Sequence, residues 1–371
     1  MKRIVFLTVL FSLSGLCFGQ GEYKTLEIGE KAPDFNLPGV DGLMHSLSDF
    51  DDHRLLVVIF TCNHCPTAQS YEERIISLVN DYQSREVGFV AISPNDPLAL
   101  RLNELAYTDV GDDLESMKIR ATAKGFNFPY LYDGETQYVS RAYGPVVTPH
   151  VFIFDEERIL QYVGRIDDSE EGVTEETRHD TRNVLDELLA KKPVTVKTTK
   201  TFGCSVKWAD IRDAARKDSE QLAGEAVSLA PAGLEKVDSL IKNRTDRLRL
   251  INIWATWCGP CVSEFHEFVT ISKIYRSRGL EFVSISLDSP AVADEVLAFL
   301  KKSQASNANF IYNSKNKYPF IEAVDKNWQG ALPYTLLIKP GGEIVYSRQG
   351  EIDPLKIKRQ IVDIIGRAKD W

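Results

Sequence analysis

Two Cys-x-x-Cys pairs, Cys62-Asn63-His64-Cys65 and Cys258-Gly259-Pro260-Cys261, each stand between a continuous apolar run and a helical pattern. The first follows Leu55-Leu56-Val57-Val58-Ile59-Phe60 and the second follows Leu250-Ile251-Asn252-Ile253-Trp254. Apolar runs of that length read as central strands covered on both faces. Behind the pairs, Tyr71, Ile75, Ile76, Leu78 and Val79, and again Phe265, Phe268, Val269, Ile271 and Ile274, recur at helical spacing. Each half continues with a strand (87–93; 280–287), a helix, a strand entered through Pro149 or Pro333 (148–154; 332–338), another strand and a last helix (181–190; 354–367). An order that occurs twice is an internal duplication. Strands alternating with helices predict an α/β fold with a parallel strand pair at the centre of each sheet. The 371 residues suit two domains. The charged, helical-looking stretch 209–226 places the junction within a linker over 209–230, between a domain over 20–208 and one over 231–371.

The cysteines are too sparse for a disulfide scaffold: six in the chain, at 17, 62, 65, 204, 258 and 261. Cys65 and Cys258 are 193 positions apart, whereas zinc knuckles lie within about 15–20 residues of one another. The pairs are therefore read as redox chemistry rather than as a metal site. Disulfide exchange needs a thiolate, and a free thiol is mostly protonated at neutral pH. The unpaired N–H groups and dipole at a helix amino end favour the anion, and a second thiol almost one turn on is within bonding reach. On this reasoning Cys62 and Cys258 are the attacking thiols, and Cys65 and Cys261 resolve the mixed disulfide. Cys204 is either an inert thiol or an additional redox thiol.

Residues 1–19 carry Lys2 and Arg3, an apolar stretch over 4–16, and small residues before Gln20, the pattern of a secretory leader. Leu16 before Cys17 disfavours a lipid-anchored form. Removal of the leader deepens the net charge from −9 to −11. The expected protein is exported, periplasmic or otherwise extracytoplasmic, and soluble after cleavage. An acidic chain without a basic block excludes nucleic acid as a natural partner.

The motif Asn252-Ile253-Trp254-Ala255-Thr256-Trp257-Cys258-Gly259-Pro260-Cys261, followed by Glu264 and later Pro333, resembles the extracytoplasmic TlpA/ResA-type thioredoxins, over about 231–371. His266 stands where that group often has proline. Residues 28–38 (Ile28-Gly29-Glu30-Lys31-Ala32-Pro33-Asp34-Phe35-Asn36-Leu37-Pro38), with Thr61-Cys62-Asn63-His64-Cys65-Pro66 and Gly203-Cys204-Ser205-Val206-Lys207-Trp208, resemble the peroxiredoxin-like redoxins of the AhpC/TSA superfamily, over about 26–208. The two resemblances imply tandem thioredoxin-like folds, each a three-layer α/β/α sandwich around a mixed sheet, with Pro149 and Pro333 in cis beside the cysteines. True peroxiredoxins carry threonine three residues before the peroxidatic Cys-Pro; here that position is Cys62, which favours a dithiol over a peroxide pocket.

The resemblance implies a thiol–disulfide oxidoreductase that exchanges dithiols with protein substrates, is recharged by a membrane or soluble thiol reductant, and needs no bound cofactor. Asn63 and His64, by favouring the thiolate, should make the first centre more oxidising than the Gly259-Pro260 centre. Trp257 should shape a substrate surface, and Glu264 should exchange a proton with Cys261. Two rivals remain: a thiol peroxidase with Cys65 peroxidatic and the second domain as its reductant, and a binding module with static disulfides.

Overall fold

The computed structural model describes residues 23–170 and 172–366. The expected leader, residues 1–19, lies outside the described residues.

In the first half, strand β1 (Leu55–Phe60) runs at the centre of a five-stranded sheet and every one of its residues is buried. It pairs in parallel with β2 (Val87–Ser93), which pairs in parallel with β3 (Tyr130–Tyr132). On its other side lie the antiparallel β5 (His150–Phe154) and, beyond it, β6 (Leu160–Gly164); β4 (Val147–Thr148) precedes β5 outside this sheet. Alternate side chains of β1 feed opposite faces. Leu55, Val57 and Ile59 meet Tyr71, Ile75 and Leu78 of helix α1 (Pro66–Tyr82). Leu56, Val58 and Phe60 meet Phe35, Leu37, Phe50 and Tyr143. A run that would be too apolar for a two-sided antiparallel sheet thus serves two cores at once.

The second half repeats the plan with six strands in the order β8 (Ala230–Ala232), β11 (Ala308–Tyr312), β10 (Leu280–Ser286), β9 (Leu248–Trp254), β12 (Tyr334–Ile338) and β13 (Ile344–Gln349). β9 is parallel to β10 and antiparallel to β12. Leu248 and Leu250 pack toward helix α5 (Gly259–Tyr275), and Ile251 and Ile253 toward the opposite face. Both sheets are mixed and flanked by helices, so the tandem thioredoxin-like architecture is the one present.

The halves are not beads on a string. The 3₁₀ segment Leu102–Tyr107 of the first half packs on α5 of the second, with Ala106 fully buried among Phe268, Ile271 and Tyr275. Tyr275 donates its hydroxyl to the Thr108 carbonyl at 2.6 Å, Arg359 pairs with Asp109 at 2.9 Å, and the Arg278 guanidinium lies 4.1 Å from the Tyr107 ring centre. The stretch over 209–230 holds helix α4 (Arg212–Ala223), which is pinned to the first half by an Arg212–Asp96 ion pair and by the Ala209 N–H donating to Gln137.

Candidate active site

In the second half, Cys258 caps α5, and its Sγ accepts the Cys261 N–H at 3.3 Å. Cys258 and Cys261 are joined at an S–S distance of 2.05 Å. The loop before them is tied down by Asp288, which accepts from the Thr256 N–H and hydroxyl at 2.9 and 2.7 Å. Around the buried sulfurs the collar is open: Trp257 is 70% exposed, and Gly259 and Pro260 are exposed too. Pro333 follows a cis bond from Leu332. Glu264, three positions after Cys261, is buried, accepts the Ile352 N–H at 2.7 Å, and leaves its other oxygen without a partner among the described residues. Burial pushes its carboxyl up to about 7, against the Ile352 bond that lowers it.

Sheet register shows which cysteines correspond. Phe60 pairs with His150, and Ile253 pairs with Tyr334; both partners directly follow a cis-proline, Pro149 or Pro333. Five residues after Phe60 comes Cys65, and five after Ile253 comes Cys258. Cys65 caps α1 as Cys258 caps α5, and its Sγ accepts the Ala68 N–H at 3.4 Å. Cys65 is therefore the counterpart of Cys258, Cys62 that of Ala255, and Ala68 that of Cys261.

This corrects the expectation that Cys62 sits at the first turn of the helix. Cys62 lies in the loop, three residues before the cap. The reason is Pro66. Proline suits the first helical position, where its missing N–H costs nothing, and it forces the preceding residue into extended backbone. Cys65 obeys, with φ −73° and ψ 118°, so the helix cannot start any earlier.

The first centre is sealed and charged. Asp112 receives the Asn63 and His64 N–H groups at 2.9 Å each, the His64 ring at 2.6 Å and the Asn95 amide at 2.6 Å. Asn63 also gives its amide to the Gly111 carbonyl at 2.7 Å. Burial opposes the charge on His64, but Asp112 outweighs it and the imidazole is raised. Burial likewise opposes the Asp112 carboxylate, yet the His64 charge and bonds hold it below its ordinary value. The result is a buried His64–Asp112 pair beside the sulfurs, in which each partner favours the charged form of the other.

Three thiols meet there. Cys62 Sγ is 3.1 Å from the Thr148 hydroxyl, and Cys65 Sγ is 3.4 Å from the Thr148 carbonyl oxygen. The short strand β7 (Cys204–Ser205) pairs with β4 so that Cys204 lies opposite Thr148, and the Cys204 N–H points at Cys65 Sγ from 3.3 Å. Burial alone would push the Cys65 thiol up. The Cys204 and Cys62 thiols that donate to its sulfur, the His64 charge and the Ala68 N–H outweigh burial and hold it well below the ordinary cysteine value. Cys62 is pushed well above that value, first by burial and then by its bond to Cys65. Among the described residues, the donor atoms of Cys62, His64 and Asp112 lie within 4.8 Å of one another, a set that could face a cation. Four N–H donors already occupy both Asp112 oxygens, however, which fits an ion pair better than a metal ligand.

Sequence reasoning found the cysteines, His64 and the prolines, and missed Asp112, Asn95 and Thr148. Pro149 borders a cleft of about 280 Å³ with Tyr71, Arg165 and Phe202. His150 is instead a core residue: burial lowers it to about 4, and its ring accepts the Val146 N–H.

Residues 28–163 match the AhpC/TSA family model, and residues 224–361 match the Redoxin model. The thiol-disulfide oxidoreductase ResA of Oceanobacillus iheyensis is 31% identical over 116 residues, which are 31% of this chain and 56% of that protein. The ResA of Bacillus cereus is 26% identical over 144 residues, 37% of this chain and 75% of that protein. A solved structure of an uncharacterized conserved protein from Geobacillus kaustophilus is 38% identical, with a TM-score of 0.44, covering 49% of this chain and 92% of that one.

Proposed function

From a chain that joins an AhpC/TSA domain to a redoxin domain, we propose an exported thiol–disulfide oxidoreductase with two unlike sulfur centres. The observation that carries the reading is the repeated placement of Cys65 and Cys258 at a helix cap beside a strand entered through cis-proline, each with further thiol within reach. A capping sulfur takes N–H bonds that a thiolate accepts better than a thiol does. Each capping cysteine is the attacking group. Cys261 resolves the second centre, and a neighbouring thiol resolves the first. The relatives named ResA support the same activity class. Protein dithiols and disulfides are the proposed substrates, with a thiol reductant upstream, and export rests on the leader pattern of residues 1–19. Among the described residues no helix is long and apolar enough to cross a membrane.

The His64–Asp112 pair supports the expected order of potentials. Stabilising the Cys65 thiolate stabilises the reduced form, which makes the first centre the more oxidising one, and about 30 mV corresponds to about 1.4 kcal/mol. Equilibration with glutathione buffers followed by acid trapping and alkylation tests the reading: both centres should open and close reversibly. If neither does, the static binding module holds instead.

One observation favours a second reading for the first centre. Cys62, Asn63, His64, Cys65 and Pro66 are all buried, an access suited to a small oxidant more than to a folded protein's disulfide. Steady hydroperoxide consumption that disappears in Cys65→Ser would establish a peroxidase.

A further inference from the structure

We propose that Cys204, rather than Cys62, is the thiol that resolves Cys65 in the first centre. The proposal rests on the reading of Cys65 as the attacking thiol and adds the identity of its partner.

The segment over 203–208 is built to deliver Cys204. A side chain at Gly203 would place its Cβ 2.0 Å from the Thr148 carbonyl oxygen, so only glycine lets this backbone lie against Thr148. Beyond Cys204, the Val206 N–H bonds the Val146 carbonyl, the Lys207 N–H bonds Asn95, and the Lys207 carbonyl receives the Gln137 amide and the Asp96 N–H. Lys207 Nζ pairs with Glu104 at 2.6 Å. A strand of two residues is thereby held with its Cys204 N–H 3.3 Å from Cys65 Sγ and its side chain packed against those of Cys62 and Cys65.

Cys62 and Cys204 differ in two respects. Cys62 is buried, as Cys65 is, whereas Cys204 is only partly buried. What holds their protons also differs. For Cys62 burial comes first, and burial persists whatever Cys65 does. For Cys204 the hydrogen bond to Cys65 comes first, followed by burial. Once Cys65 is bonded to another sulfur, it no longer carries the charge that opposes ionisation of Cys204.

The Cys65 thiolate attacks one sulfur of a substrate disulfide, forms a new S–S bond and expels the other sulfur as a thiolate, which takes the Cys204 proton. The Cys204 thiolate then attacks Cys65 Sγ, and the Cys65–Cys204 bond forms as the Cys65–substrate bond breaks. The second substrate thiolate is protonated by water. The substrate gains two electrons and two protons, and Cys65 and Cys204 together lose two electrons. An external dithiol reverses the change.

The experiment uses the full chain with Cys258→Ser and Cys261→Ser, so that only the first centre reports. Oxidised glutathione is added, and samples are acid-quenched, alkylated and mapped by non-reducing peptide mass spectrometry. A Cys65–Cys204 peptide is expected with Cys204 otherwise intact. Adding Cys204→Ser or Cys204→Ala should leave glutathione on Cys65 for at least about tenfold longer, because the attacking thiol is gone. Adding Cys62→Ser should still yield the Cys65–Cys204 peptide. A Cys62–Cys65 peptide with Cys204 alkylated throughout overturns the assignment while leaving Cys65 as the attacking thiol. If Cys65 never acquires glutathione, the reading of the first centre falls with it. The linkage map of the chain that retains Cys204 needs no first-centre variant, so a folding defect in a variant cannot decide the result.

Discussion

The two centres put a sulfur at the same place and surround it differently. At Cys258 the neighbours Trp257, Gly259 and Pro260 face outward. At Cys65 the neighbours Asn63 and His64 are buried and bonded to Asp112, and two more thiols crowd the sulfur. A helix cap supplies only a mild, general preference for the thiolate. A duplicated fold thus sets a buried His64–Asp112 pair beside one sulfur and leaves the surroundings of the other open.

The largest effect should come from testing the correspondence itself. Cys65→Ser and Cys258→Ser should each reduce disulfide exchange at their own centre by about 100-fold or more, because the thiolate is the nucleophile. Cys62→Ser should leave Cys65 able to form an adduct with a model disulfide. If Cys62 proved to be the alkylated, adduct-forming thiol, the register argument would fail.

Asp112→Asn should come next. Removing one partner of a buried pair costs about 3–5 kcal/mol, which denaturant unfolding would measure. It should also move the pH midpoint of Cys65 alkylation upward by about one unit, because neutral His64 no longer favours the anion. The sign of the stability effect can be checked by pH. Asp112 is lowered, so its contribution is present above the ordinary carboxylate range and lost as pH falls through the folded value. His64 is raised, so its contribution is present below the ordinary imidazole range and lost as pH climbs through the folded value. The variant should flatten both limbs.

A smaller effect is expected at the open collar. Trp257→Ala should slow exchange with a protein disulfide by about tenfold or less, as expected for loss of one aromatic contact, while oxidised glutathione reacts as before. Equal slowing of both would mean that Trp257 acts on the sulfur rather than on the partner.

The smallest concerns Glu264. Its carboxyl is raised to about 7, so its contribution to stability is full below the ordinary glutamate range and lost as pH rises through about 7. Unfolding at pH 5 and pH 8 should show a fall in stability that Glu264→Gln reduces.

The apolar runs, helical spacings and cis-proline positions made the two sheets legible in the sequence, because central strands buried on both faces have few alternatives. The Cys-Pro step at 65–66 also carried the true helix start, but the repeated Cys-x-x-Cys spacing masked it: equal spacing suggested equal register, and proline chemistry decided otherwise. Asp112 could not be read because it is 48 positions from His64 and looks like any loop aspartate until the fold brings the two together. The packing of Leu102–Tyr107 on the second domain was hidden for a similar reason, since a short 3₁₀ segment has no periodicity of its own.

The most direct measurement is a redox titration of the intact chain across glutathione ratios, with acid trapping and peptide mapping of Cys62, Cys65, Cys204, Cys258 and Cys261. Two separate two-electron transitions are predicted, with Cys65 in the more oxidising one and Cys258 with Cys261 in the other. Cysteines that keep one state across the whole range, at both centres, would contradict reversible exchange outright.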